Sequence, residues 1–456
     1  MKAIFESFNN PEKEFVDFDA MGKLATCDNL VQKSAEIVEG VNNIWYEYIP
    51  KSYDGTKSVP LVVQVHGGGH DGKRWVDYTI WHKLAEQLGF IVIYPNSIEY
   101  QMWTCTDTDI EYLYDLIKLI QSRYNIDKNR IYMQGMSNGD MMTLAFSMKH
   151  PEMLAAAGFL TGPAPEEAID GERPVGALPL IQFRGEKDVN WNLNPDTEDV
   201  YSVRYEMNDL NREIWLEANG ITGLPALSIV GRQNFLRFKG SNAPIINWEI
   251  KDMGHREPAE SAQIIWDYLY SGCSRLEDGS LKLENPIKNI EGDNDLVVLS
   301  AGGDKIYKKD KVVSIGSLSE GCAKIFHPSD PDTFFDKPLN EMYQTPDLFA
   351  PAEFFNAAFG AEVEYIDSGD QVVITFNNGM KVEMFSKSPL IIVDGEYRAL
   401  KKPSVLLCGA FYVPVGIFCE EILNKHVSMA DDTMCISGHF AQIGRYTARI
   451  IKNYIK

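Results

Sequence analysis

Ser137 lies in Gly135-Met136-Ser137-Asn138-Gly139, directly after the apolar run Arg130-Ile131-Tyr132-Met133-Gln134. A serine held between two glycines where a strand passes into a helix sits on a turn too tight for bulk at the glycine positions. Its hydroxyl is left exposed at the carboxyl edge of the sheet. The helix expected next, from Asn138 to about His150, aims its positive end where an oxyanion would form. A hydroxyl is a poor nucleophile at neutral pH, so an imidazole must take its proton and a carboxylate must orient that imidazole.

The rest of the chain supplies candidates for those roles. His255 ends Lys251-Asp252-Met253-Gly254-His255, just after the strand-like run Ile245 to Ile250. His66 and His70 flank a glycine-rich loop, His82 and His150 fall on expected helices, and His327, His426 and His439 lie in the C-terminal third. Only His255 follows a last strand, where a general base for this serine belongs. Asp188 closes Gly185-Glu186-Lys187-Asp188 after the run Leu178 to Arg184. It fits the chain order Ser, Asp, His, with Glu186 on the same turn as the alternative acid. Upstream, Val59 to Val65 empties into His66-Gly67-Gly68-Gly69-His70. Its amides, those of Gly68 or Gly69, pair with the amide of Asn138 as candidate oxyanion donors. Trp75, Trp103 and Trp191 are candidates for an aromatic substrate pocket, although half-buried packing is the commoner use of tryptophan. The chemistry expected is acylation of Ser137, loss of an alcohol, and hydrolysis of the acyl-enzyme by water, without metal or cofactor.

These side chains need a frame. Residues 41–275 alternate apolar strands with amphipathic helices, the pattern of an α/β fold with a mostly parallel sheet and flanking helices. One expected helix, Asp109 to Tyr124, carries Ile110, Leu113, Leu116, Ile117 and Ile120 on one face. Residues 1–40 read as a mixed leader, and a helix is expected from about Glu257 to Tyr270. Residues 276–340 change to acids, Gly, Ser and Pro with short strands such as Lys311 to Ile315, a β-rich linker or extension. Further on, Phe349 to Phe359 aligns with Tyr412 to Ile422 at an offset of 63 (414 − 351). Each copy reads as a Pro-started helix followed by a strand pair, giving a smaller α+β C-terminal domain.

The whole chain has 456 residues and a net charge of −22, so it is long enough for two or three units and a poor partner for nucleic acid. Seven cysteines, scattered and without CxxC spacing, argue against zinc and against a disulfide scaffold. The longest uncharged apolar run, Val405 to Cys419, has 15 residues and is broken by Gly409, Pro414 and Gly416; a membrane span needs ~20. The first ten residues lack an apolar signal-peptide core, which favours a cytoplasmic protein, or a secreted or cell-surface one if the start is processed or engineered.

Taken together, the first 275 residues resemble the α/β-hydrolases of the polyhydroxybutyrate-depolymerase-like group, which includes feruloyl and acetyl xylan esterases. The resemblance rests on Val63 to Gly69, on Leu84 to Pro95, and on Ile126 to Gly139 with its Met136-Ser137-Asn138-Gly139 core. Trp103-Thr104-Cys105 ahead of Asp107 and Asp109 echoes a further family feature. Gly254-His255 runs into Arg256-Glu257-Pro258 where relatives often carry Trp, and Val189 to Asn192 replaces a longer apolar stretch, so the acyl pocket departs from the pattern. Residues from about 345 to 440 resemble the copper amine oxidase N-terminal-like domain, a non-catalytic module. No metal cluster accompanies it, and His426 and His439 read as structural. The resemblances imply a catalytic domain over 1–275, an extension over 276–340 and the module over 341–456, which would bind a polymer or mediate oligomerisation. The function implied is a serine esterase acting on small or polysaccharide-linked esters, feruloyl, acetyl or polyhydroxyalkanoate-like. A serine peptidase of the same fold, or a relict hydrolase acting as a binding module, are the alternatives.

Overall fold

The alternation of apolar strands and amphipathic helices builds two compact units. One comprises residues 1–225 and 235–290, the other 226–234 and 291–456. The computed structural model describes residues 27, 29–188, 202–240, 242–284, 296–316, 325, 347–407 and 409–456.

In the first unit, β1 (Leu30–Glu36) and β2 (Asn42–Tyr48) form an antiparallel edge. The frame continues through β3 (Val59–Val65), α1 (Gly72–Trp75), α2 (Trp81–Leu88), β4 (Ile91–Pro95), α3 (Asp107–Arg123), β5 (Ile126–Met136), α4 (Asn138–Lys149), β6 (Ala156–Leu160), α5 (Glu166–Ile169), β7 (Leu180–Gly185) and α6 (Ser202–Ala218). It ends with β9 (Gln233–Phe238, of which residues 235–238 belong to this unit), β10 (Ile245–Ile250), α7 (Ser261–Tyr268) and the hairpin of β11 (Cys273–Arg275) with β12 (Leu281–Leu283). The order across this unit's sheet is β1-β2-β4-β3-β5-β6-β7-β10-β9. The strands β4, β3, β5, β6, β7 and β10 run parallel, the α/β-hydrolase architecture. Because parallel strands all end at one edge, the loops after β3, β4, β5, β7 and β10 gather there.

Helix α3 buries Ile110, Leu113, Leu116, Ile117 and Ile120 as its spacing requires. Two expectations shift. The leader contains β1, a half-exposed strand whose polar sequence hides it from an apolar-run reading. Helix α7 starts at Ser261 rather than near Glu257: the chain first turns at Pro258, whose carbonyl accepts from the Ser261 N–H at 3.0 Å. Aromatic rings fill the core on one side, with Tyr132 stacked on Tyr270 at 4.5 Å and Phe90 on Trp266 at 4.5 Å.

The second unit takes β8 (Ala226–Val230) together with β13 (Val297–Ser300), β14 (Lys305–Lys308) and β15 (Lys311–Ser314). Next come β16 (Phe349–Pro351), α8 (Glu353–Phe359) and the antiparallel sheet of β17 (Glu362–Ile366), β18 (Gln371–Thr375), β19 (Lys381–Phe385), β20 (Leu390–Val393) and β21 (Glu396–Ala399). It closes with β22 (Val405–Leu407), β23 (Ala410–Pro414), α9 (Val415–Glu421), β24 (His426–Ala430), β25 (Thr433–Ser437) and α10 (Arg445–Ile455). The near-repeat becomes two strand-then-helix units, β16–α8 and β23–α9, whose strands pair antiparallel with Phe349 opposite Pro414. Each proline ends its strand ahead of the helix. A separate apolar cluster, with Phe354, Phe355, Phe376, Phe411 and Phe418, forms this unit's core.

Residues 226–234 are tied into that unit by hydrogen bonds. The Leu227 N–H donates to Tyr307 Oη at 2.8 Å, His439 Nε2 lies 2.9 Å from the Ile229 carbonyl, and the Gly444 N–H donates to Asn234 Oδ1 at 3.0 Å. His439 thus has a structural contact. Among the described residues, no helix is long and apolar enough to cross a membrane.

Candidate active site

Ser137 has φ 59 and ψ −120, a positive-φ conformation that costs a non-glycine residue ~1–3 kcal/mol. Glycine at 135 and 139 makes the turn possible. A Cβ on Gly135 would strike the Gly139 carbonyl, and one on Gly139 would strike the carbonyls of Val65 and His66. The elbow therefore packs directly against the end of β3. The Ser137 N–H donates to the Leu160 carbonyl at 2.8 Å, which ties the turn to β6.

The Ser137 hydroxyl meets His255 Nε2 at 3.0 Å, and His255 Nδ1 meets Asp188 Oδ2 at 2.9 Å. With Nδ1 protonated and donating to the carboxylate, Nε2 has its lone pair toward the hydroxyl, the tautomer a general base requires. Asp188 is 1% exposed, so its charge is little screened. Glu186, the alternative acid, is turned to another task. Its Oε2 accepts the Asp252 N–H at 2.9 Å and its Oε1 lies 3.6 Å from Lys251 Nζ. Glu186 holds the loop that carries the histidine, and Asp188 touches the histidine itself. The two loops approach so closely that a Cβ on Gly185 would strike the carbonyls of Met253 and Gly254.

The candidate oxyanion donors separate. The Gly69 N–H donates to the Gln101 carbonyl at 2.8 Å, so it is already committed and Gly69 is removed from the expected pair. Among the described residues the Gly68 and Asn138 amides make no such backbone bond. The two residues adjoin, since a Cβ on Gly68 would lie 3.6 Å from Asn138 Cβ. The Asn138 side chain is used structurally: Oδ1 accepts the Trp103 N–H at 2.7 Å and Nδ2 donates to the Trp103 carbonyl at 3.0 Å.

Trp103 is not a pocket wall. It is 2% exposed, its indole N–H donates to the His66 carbonyl at 3.1 Å, and its ring stacks on Tyr112 at 6.4 Å. Trp75 is buried as well, stacked on Tyr78 at 5.6 Å. Trp191 lies outside the described residues. His66 is buried with Nε2 accepting the Ser97 N–H at 3.1 Å, and desolvation pushes its pKa down to about 4. A neutral imidazole thus braces the glycine loop.

Three buried groups behind the site were not singled out from the sequence. Asp140, in the first turn of α4, accepts from the Gly162 N–H and pairs with Arg184 Nη1 at 3.2 Å. Arg184 sits on β7 four residues before Asp188, so this pair joins the helix after Ser137 to the strand before Asp188. Burial pushes the Asp140 carboxyl up to about 6 against the opposing pull of Arg184. Glu257, two residues past His255, is buried, accepts from Ser261 Oγ at 2.6 Å, and is pushed by desolvation up to about 7. A charged residue inside an apolar run, as Arg184 is, was the available signal for such a pair.

Residues 45–172 match the family described as Esterase PHB depolymerase, and residues 335–437 match the Copper amine oxidase N-terminal domain. The bifunctional acetylxylan esterase/xylanase XynS20E of Neocallimastix patriciarum is 24% identical over 224 residues, 46% of this chain and 31% of its own. Feruloyl esterase B of Piromyces equi is 27% identical over 195 residues, 40% of this chain and 36% of its own. The chain therefore spans about a third of the length of these curated relatives. A solved acetyl xylan esterase from Aspergillus awamori aligns over 52% of this chain and 97% of that one, with TM-score 0.42 and 17% identity.

Proposed function

We propose that this chain, which joins a polyhydroxybutyrate-depolymerase-type esterase region to a copper amine oxidase N-terminal-type region, hydrolyses carboxylic esters through Ser137, His255 and Asp188. The observation that carries the reading is the continuous contact from Asp188 Oδ2 through the imidazole to the hydroxyl of Ser137, whose backbone is strained. His255 takes the hydroxyl proton as Ser137 Oγ attacks the ester carbonyl carbon. The carbonyl oxygen becomes an oxyanion facing the amides of Gly68 and Asn138, each such donor contributing ~3 kcal/mol to the barrier reduction. The imidazolium, stabilised by Asp188, then protonates the departing alkoxide. Water attacks the acyl-enzyme by the same route in reverse, giving the carboxylic acid and free Ser137.

Acetyl or feruloyl esters of plant polysaccharide are the substrate class proposed, in keeping with the names of the two curated relatives. The test is hydrolysis of short 4-nitrophenyl esters, with fluorophosphonate labelling and mapping of the adduct. The expected result is label on Ser137 and loss of turnover in Ser137→Ala. Full turnover in that variant, or label elsewhere, overturns the reading. Aminoacyl amides assayed in parallel separate an esterase from a peptidase.

A further inference from the structure

We infer that Met102 is the movable wall of the acyl pocket and holds the site, at rest, to small acyl groups of acetyl size. This rests on the ester-hydrolase reading. The strand order β4-β3-β5-β6-β7-β10 sets Ser137, after β5, between two sides. Asp188 and His255 follow β7 and β10 on one side; Gly68 and Met102 follow β3 and β4 on the other. The alkoxy oxygen must face His255 Nε2 to receive its proton, and the carbonyl oxygen must face the amides. The remaining substituent of the carbonyl carbon, the acyl group, is then tetrahedrally disposed to both and borders the Gly68 loop, on the side of β3 and β4.

Met102 occupies that side. A Cβ on Gly68 would lie 3.2 Å from Met102 Cε and 3.3 Å from its Sδ, so the thioether covers the glycine whose amide faces the carbonyl. The backbone that carries it is pinned. The Ser97 N–H donates to His66 Nε2 at 3.1 Å, the Gln101 carbonyl accepts from the Gly69 N–H at 2.8 Å, and Trp103 is clasped by both ends of the Asn138 amide. Asp109 Oδ2 anchors the loop's far end, accepting the Cys105 N–H at 3.1 Å. The side chain itself is 49% exposed, outside the core, and three rotatable bonds let it swing where a branched residue would not. A pinned loop with an adaptable side chain beside Gly68 is thereby assigned the wall that sets the room for the acyl group. On this assignment an acetyl group is accepted with Met102 at rest, whereas an arylacyl group requires the methionine to move.

The experiment compares kcat/KM for 4-nitrophenyl acetate and 4-nitrophenyl cinnamate, which share a leaving group, in the full chain and in Met102→Ala and Met102→Phe. Met102→Ala is expected to raise the cinnamate-to-acetate ratio ~10-fold and Met102→Phe to lower it, the range one side chain commands in an apolar pocket. Thermal melts verify that each variant is folded. A ratio that stays within about two-fold of the parent, or moves in the opposite sense, overturns the assignment while Ser137 labelling and acetate hydrolysis persist. Loss of labelling and acetate hydrolysis in the parent itself overturns the ester-hydrolase reading and this one with it.

Discussion

At the scale of single residues, two carboxylates on one turn do different work. Asp188 contacts the imidazole and Glu186 grips the backbone at Asp252. Asp188→Asn should favour the wrong tautomer and lower kcat ~10⁴-fold with little change in stability, read by ester kinetics beside a denaturant titration. Glu186→Ala should show the opposite balance, a stability loss of ~1–3 kcal/mol from the orphaned Asp252 amide and a smaller kinetic defect. Chain order made Ser137, His255 and one acid of this turn legible as candidates, because this architecture puts reactive side chains at strand ends. It favoured Asp188 with Glu186 as the alternative, and it left Gly68 and Gly69 unseparated. Those distinctions depend on where a loop's amides and carboxylates point, and no periodicity encodes that. The burial of Trp103 was hidden for a related reason: a tryptophan reads the same whether its ring faces a substrate or a buried histidine.

At the scale of elements, α4, which follows Ser137, and β7, which precedes Asp188, are locked by a charge pair with almost no solvent, its side chains 7% and 0% exposed. Removing one member of such a pair leaves a buried charge, so Arg184→Met should cost ~3–5 kcal/mol. Adding Asp140→Asn to that variant should recover a large part, as a two-variant cycle in urea would reveal. The helices and strands themselves followed from spacing, as in α3. The pair did not, because an arginine in an apolar run has no partner until the sheet is assembled. The buried carboxyls of Asp140 and Glu257 also make stability depend on pH. Their folded pKa values, about 6 and about 7, lie above the ordinary 3.8 and 4.5. Between those limits the folded state binds more protons than the unfolded chain, so stability is greatest below them and falls as pH rises toward 7. For Glu257 the loss is about 3 kcal/mol. Melting temperature measured from pH 5 to pH 7.5 should decline, and Glu257→Gln should flatten the slope.

At the scale of the whole molecule, the two apolar cores are built from different parts of the chain. What composition could not reveal is that residues 226–234 count with the C-terminal unit, because they sit amid strands of ordinary α/β pattern. Asn234 is fully buried and bonds Gly444 and Gln442. Asn234→Ala should therefore destabilise the chain by ~1–3 kcal/mol, although it lies more than fifty residues before that unit's main segment resumes.

The C-terminal module is therefore not a cassette that a single cut can free. A fragment spanning 291–456 leaves behind the donors and acceptors that Tyr307, His439, Gln442 and Gly444 use. Such a fragment should melt early or not fold. A synthetic peptide of residues 226–234 supplied in trans should raise its melting temperature, a split-protein complementation readable by calorimetry.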